Sequence, residues 1–130
     1  MINMAEFMSN WGECEYVQFR RRCLETINID ETGKQLLDKM GIPIEAAPYL
    51  TFSCNIGAKG QLTTAAEMWG ITNKFLKYYI IGSTGSGDSI CIEEQYGHVV
   101  YLDHENEFAE CLINTSVEKL LNCLLVYRKY

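Results

Sequence analysis

The sequence predicts an α+β fold: a single domain over residues 1–130, built on a mostly antiparallel β-meander, flanked by helices and closed by a C-terminal helix. Three observations predict it. Residues 78–105 read YYIIGSTGSGDSICIEEQYGHVVYLDHE, in which β-branched and aromatic runs are separated by glycine-bearing turn signals. No connection between these runs is long enough for a crossover, so neighbouring strands should pair antiparallel. Residues 112–121, LINTSVEKLL, hand a short strand over to an amphipathic helix. At 130 residues, with the composition of an ordinary globular protein, the chain can bury a core without metal or disulfide staples.

In chain order, residues 3–11 fit a short helix with Phe7, Met8 and Trp11 on one stripe, stopped by Gly12. Residues 16–19 alternate and should be extended. Residues 30–40 give a clearer helix: Asp30 can cap it, Leu36, Leu37 and Met40 recur at helical spacing, and Gly41 can take the left-handed position after the end. Pro43 prevents its continuation. Residues 49–54 read as a strand and residues 55–60 as a turn, while residues 64–69 fit either a helical turn or a short strand before Gly70. The run 75–81 is apolar on both faces apart from Lys77, which predicts an internal strand ending at Gly82. Further strands are expected over 89–93, 99–102 and 108–113. In the last helix Thr115 and Glu118 have the spacing of a capping box, and Val117, Leu120, Leu121, Leu124 and Tyr127 or Arg128 form the apolar stripe.

Charge is unevenly distributed. The chain is net −6, yet residues 78–118 hold eight carboxylates (Asp88, Glu93, Glu94, Asp103, Glu105, Glu107, Glu110, Glu118) and no Lys or Arg. With nine acids and eleven bases elsewhere, that segment is −8 and the remainder +2. Such a sheet repels nucleic acid and anionic membranes and attracts a basic partner; its bland alternative is a solvated, solubilising face. Asp88, Glu93, Glu94, Asp103, Glu105 and Glu107 are the candidate partner-binding residues. Reversing Glu93 and Glu94 is expected to slow association and leave the melting temperature nearly unchanged. Arg20, Arg21 and Arg22 lack a glycine-rich loop or interleaved aromatics, so they read as surface ion-pair partners.

Catalytic and metal chemistry find little support. The loop 82–87, GSTGSG, precedes a strand rather than a helix, lacks the Walker Lys-Ser/Thr pair and is followed by Asp88, so it reads as a hairpin connection. In Asp103-His104-Glu105, strand alternation would put the two acids on one face and His104 on the other; His98 is the only other histidine. Cys91 and Cys111 have no evident activating base. The six cysteines are scattered without a CxxC pair and are expected to be reduced, small apolar core residues. No apolar run approaches the ~20 residues that span a bilayer, and the start, MINMAEFMSNW, has no positive n-region. The expectation is a cytoplasmic protein with no catalytic residues, no metal and no cofactor.

The ordered words KMGIP, YLTF, YYIIGSTGSGDSICIEEQYGHVVYLDHE and LINTSVEKLLNCLLVY resemble the SUKH superfamily, and within it the bacterial immunity-protein branch of the fourth SUKH type. The matching positions are Gly41, Pro43, Ile81, Gly82, Gly87, Asp88, Ile90, Ile92, Gly97, Val99, Leu102, Asp103, Asn114 and Ser116. The resemblance covers residues 36–127; the first thirty add little. It implies an α+β domain that is not an enzyme and binds a protein. The implied partner is a cognate polymorphic toxin, often a nuclease or nucleic-acid deaminase, which such proteins neutralise. An interaction adaptor without a toxin is the alternative, and a small-molecule binder a more distant one. Physically, the matching residues read as fold residues: Gly82 and Gly97 for turns, Asp88 bonding its own loop, and Asn114 capping or bridging the strand–helix junction.

Overall fold

The computed structural model describes residues 2–25, 27–47, 50–57, 61–70 and 77–128. Six strands form one antiparallel sheet in strict chain order: β3 (Glu45–Ala47), β4 (Leu50–Phe52), β5 (Tyr78–Thr84), β6 (Ser89–Glu93), β7 (His98–Asp103) and β8 (Ala109–Asn114). A separate two-stranded ladder joins β1 (Tyr16–Val17) to β2 (Ile42–Pro43). The helices are α1 (Met4–Trp11), α2 (Arg21–Leu24), α3 (Glu31–Gln35), α4 (Ala65–Trp69) and α5 (Val117–Arg128). The predicted α+β meander is therefore the observed fold.

The centre of the sheet is buried on both faces. One face carries Tyr79, Ile81, Ile90, Ile92 and Val99 into the main core, with Val117, Leu120, Leu121 and Leu124 of α5, Phe7 and Trp11 of α1, and Leu36, Leu37 and Met40. Burying the three leucines of α5 contributes about 5–8 kcal/mol before entropy is set against it. The other face buries Ile80, Cys91, Val100 and Leu102 against Ala65 and Ala66 of α4, with Trp69, Tyr78 and Phe108 packed at the margin. Every residue of β6 is buried, as expected for a strand with neighbours on both sides and cover above and below.

Several local expectations change. The internal strand begins at Tyr78 and runs through Gly82 to Thr84; Phe75 and Leu76 lie outside the described residues. Gly82 is thus not a turn. It is needed because a Cβ there would sit 2.3 Å from the Thr51 carbonyl oxygen of β4. Gly41 has a positive φ of 84° but an extended ψ of −165°, outside the left-handed helical region, and a Cβ would meet the Val17 carbonyl at 2.1 Å. The helix before it finishes as a π turn over Leu36–Met40, which lets the Gly41 N–H reach the Leu36 carbonyl at 2.7 Å. The stretch around Thr64 is helical, and it owns a capping box: Thr64 Oγ1 accepts from the Glu67 N–H, and Glu67 accepts from the Thr64 N–H. At the start of α5 the capping oxygen is that of Ser116 rather than Thr115. Ser116 Oγ accepts from the Lys119 N–H at 3.1 Å, and Glu118 is drawn away to accept from the Ile2 N–H at 2.9 Å.

On α5, Tyr127 faces solvent. Arg128 completes the stripe by laying its guanidinium over the Trp11 ring at 4.7 Å and donating from Nε to the Trp11 carbonyl. Met8 is likewise exposed rather than on the buried stripe of α1. The cysteines are free thiols but not uniformly core: Cys23 and Cys91 are buried, Cys54 and Cys111 half-buried, Cys14 and Cys123 exposed. Burial pushes the Cys91 thiol up to about 12, which leaves it inert at neutral pH.

Candidate functional site

Apart from Glu110 within β8 and Glu118 in α5, the carboxylates of residues 78–118 lie on turns and at strand ends, and they separate into two groups. The first surrounds the β5–β6 and β7–β8 loops. Asp88 opens β6, where Thr84 folds the loop back: the Thr84 N–H donates to the Asp88 carbonyl at 2.9 Å, and the Asp88 N–H donates to Thr84 Oγ1 at 3.2 Å. The Asp88 carboxylate turns inward. Its Oδ1 accepts from the His104 backbone N–H at 3.0 Å and meets the His104 Nδ1 at 2.5 Å. Burial pushes this carboxyl up, but the His104 N–H and ring and the Thr84 hydroxyl outweigh it and hold it below the ordinary aspartate value. Asp88 is 6% exposed and ties two loops together across sixteen positions of sequence.

His104 is stacked on the Trp69 indole, ring centroids 5.5 Å apart. Phe108 meets the same indole edge-on at 5.2 Å, and Trp69 Nε1 donates to Ser89 Oγ at 2.9 Å. Residues 103–105 do not alternate as a strand would, because His104–Asn106 form a 3₁₀ turn in which Asp103 accepts from the Glu105 N–H. Glu107 and Phe108 then both take positive φ, 56° and 59°. Side chains avoid that region, and here it is held by the Phe108 N–H bond to the Asp103 carbonyl and by the packing of Phe108 on Trp69. The result presents Glu105 and Glu107 to solvent, with Asp103 half-buried behind them.

The second group sits at the far end of β6, about 16 Å away along the strand. Glu93 is 7% exposed and its Oε1 accepts from the Tyr96 N–H at 3.1 Å, closing the β6–β7 turn. Glu94 is half-buried, with Lys77 at 4.0 Å. Reversing these two charges would therefore disturb the turn, contrary to the expectation of an unchanged melting temperature. The six predicted site residues are not brought together.

Beside Glu93 lies a feature that no motif announced: an open cleft of about 400 Å³ lined by Tyr78, Glu93, Tyr96, His98 and Glu110 among others. Tyr78 donates its hydroxyl to Glu110 at 2.6 Å, and burial first, then Glu110, raises the Tyr78 pKa. The Tyr96 and His98 rings are 5.4 Å apart, and Tyr96 is 67% exposed. These residues come from three separate stretches, Tyr78, residues 93–98 and Glu110, so only the fold assembles them. Residues 93–98, EEQYGH, set two acids beside two aromatic rings, but nothing in them points to Tyr78 or Glu110.

Elsewhere Arg21 is paired with Glu31, as an ordinary surface ion pair. Among the described residues no three or more His, Cys, Asp or Glu side chains are placed to hold a metal ion, and no helix is long and apolar enough to cross a membrane.

Fold and site together define a small acidic α+β domain whose buried carboxylates Asp88 and Glu93 hold its turns. More narrowly, the chain belongs to the SUKH-4 immunity protein family, whose model matches residues 2–130. The match takes in the first thirty residues as well as the motifs between Gly41 and Ser116. No curated protein and no solved structure matches the chain.

Proposed function

We propose that this protein is a non-enzymatic immunity protein that binds and neutralises a cognate bacterial toxin, and that the toxin domain is basic, of the nuclease or nucleic-acid deaminase kind. Family membership supports the immunity role. The observation that carries the rest is the base-free stretch of residues 78–118, which forms β5 to β8 and their turns. A protein that acts on nucleic acid must present cationic groups to phosphate, and a surface of the opposite sign occupies those groups directly. The contact is assigned to the acids that remain exposed, namely Glu105, Glu107 and Glu110, with Asp103 beside them. Asp88 and Glu93 serve as the internal supports of the turns.

The test is co-expression with the product of the reading frame directly upstream. Rescue of growth by this chain, with nucleic-acid damage in its absence, is the expected result. A toxin that kills equally with and without this chain would remove the neutralisation reading. A neutralised toxin that spares nucleic acid would remove only the assignment of its class.

A further inference from the structure

β8 is the outermost strand of the sheet. β7 pairs with one side of it, and among the described residues no strand pairs with the other. In an antiparallel ladder every second residue turns its N–H and C=O away from its partner, so β8 presents a row of backbone donors and acceptors outward. Edge strands are ordinarily blunted by lysine, proline or shortness. β8 has six residues, AECLIN, with no Lys and no Pro; its register shifts only near its C-terminal end, between Leu112 and Asn114, which leaves the Ala109–Leu112 run regular. The opposite edge, β3, is only three residues long and its register shifts within them.

The side chains along β8 are also specific in kind. Glu110 lies opposite Leu102 and Leu112 opposite Val100, and cross-strand partners share a face. Both therefore project from the side on which α4 packs, where Leu112 is 57% exposed. Glu110 and Glu93 also line the cleft that contains Tyr78, Tyr96 and His98; the one base among its lining residues, Lys77, lies 4.0 Å from Glu94.

Building on the neutralisation reading, we propose that the free edge of β8 receives an extended segment of the toxin as a seventh strand. That segment carries Lys or Arg at alternate positions facing Glu110 and the aromatic cleft. Main-chain bonds to β8 hold the segment in register, and alternate side chains decide which segment fits. A cation entering the cleft meets the carboxylate of Glu110 and the exposed face of Tyr96. A second copy of this chain is the competing occupant of any open edge. It is disfavoured because edge-to-edge pairing would bring together two segments of −8 that contain no base.

The experiment is hydrogen exchange on the whole protein with three octapeptides: one alternating Lys and Thr, one alternating Glu and Thr, and a Lys/Thr peptide interrupted by two prolines. The Lys/Thr peptide should slow exchange across Ala109–Asn114 by about tenfold when it stands at about ten times its Kd. The acidic and prolyl peptides should not. Glu110→Lys and Leu112→Lys should abolish the protection while far-UV circular dichroism stays that of the parent. No slowing at ~10 mM Lys/Thr peptide, where even a millimolar site is filled, overturns the proposal. So does protection by the prolyl peptide, which would show attraction without strand pairing. A dimer in which β8 is already protected overturns it in favour of the second copy. The growth assay separates the two readings: full rescue by the Glu110→Lys and Leu112→Lys variants removes the edge and keeps neutralisation, whereas failure of the parent chain to rescue removes neutralisation itself.

Discussion

Replacing Asp88 with asparagine isolates the latch between the β5–β6 and β7–β8 loops. The carboxylate receives the His104 N–H at 3.0 Å and the His104 ring at 2.5 Å, and its other oxygen lies 3.4 Å from the Thr84 hydroxyl. Asparagine keeps the shape but removes the charge and turns an N–H group toward one of these partners. Hydrogen bonds to a charged group contribute about 1.5–3 kcal/mol, so the net loss should be about 2 kcal/mol after the surviving neutral bond is counted. For a domain of this length that is a fall in Tm of about 6–10 °C. The pH dependence is the sharper readout. The folded carboxyl titrates below its unfolded value, so its stabilisation is complete above that value, near 3.9, and fades as pH falls through the folded pKa. Calorimetric melts of both proteins between about pH 2.5 and 7 should show the full gap at neutral pH and a narrowing gap below about pH 4. Equal Tm at neutral pH would refute the latch. A gap that persists undiminished to about pH 2.5 would refute its electrostatic origin.

Gly82→Ala places a methyl 2.3 Å from the Thr51 carbonyl, so β4 must move away from β5; denaturant unfolding should show a loss of about 1–3 kcal/mol. Leu121→Asp puts a carboxylate at a fully buried position, and circular dichroism should report an unfolded chain. Glu93→Ala strips the acceptor from the Tyr96 N–H in the part-buried β6–β7 turn and should cost about 1–2 kcal/mol. Glu94→Gln, which loses only Lys77 at 4.0 Å, should stay within about 0.5 kcal/mol by the same melts. Glu105→Lys with Glu107→Lys should slow association with the toxin. A unit pair ~6 Å apart in water is worth about 0.7 kcal/mol, and a Debye length of about 8 Å roughly halves that. Sign reversal doubles it again, so two sites amount to about 1.4 kcal/mol, or tenfold in stopped-flow on-rate. An on-rate that does not move, at low salt or high, removes these acids from the contact.

How much was legible in the sequence follows from which interactions are local. The meander was readable because its turns are written beside its strands: Gly87 and Asp88 before β6, and Tyr96-Gly97 before β7. Thr64 and Glu67 also carried a capping box in plain view, but a five-residue helix is too short for periodicity to declare itself. The misreadings concern partners distant in sequence. Glycine at position 82 reads as a stop, yet its cause is the Thr51 carbonyl on another strand. Glu93 reads as an exposed acid because charge is rarely buried; it is buried because Tyr78 of β5 and His98 of β7 flank it on either side. Asp88 was expected to bond its own loop, and it does so through Thr84, but His104 was invisible until β7 was laid beside β6. The cleft at Tyr78 and Glu110 joins strands at opposite sides of the four-stranded half of the sheet and could not be read from spacing at all.

The distribution of charge also constrains how a partner can sit. Every position of β6 is buried, so the middle of the sheet offers no contact surface, and a partner seated on the sheet as proposed would use its turns and its open edge. The exposed acids Glu105 and Glu107 stand at the start of β8, and Glu110 lies within it. Six residues of strand extend about 20 Å, while a standard interface of about 800 Å² per partner is about 30 Å across. A single partner laid along β8 therefore covers the acidic turn and the cleft together, without needing the buried Glu93 or Asp88. The two regions then act on different rate constants. Solvated charges on the turn steer encounter and set the on-rate, whereas backbone pairing along β8 forms only after docking and sets how long the complex lasts. Raising the salt should erase the first contribution and leave the second, so a partner bound through both dissociates at nearly the same rate in high salt while finding its site more slowly.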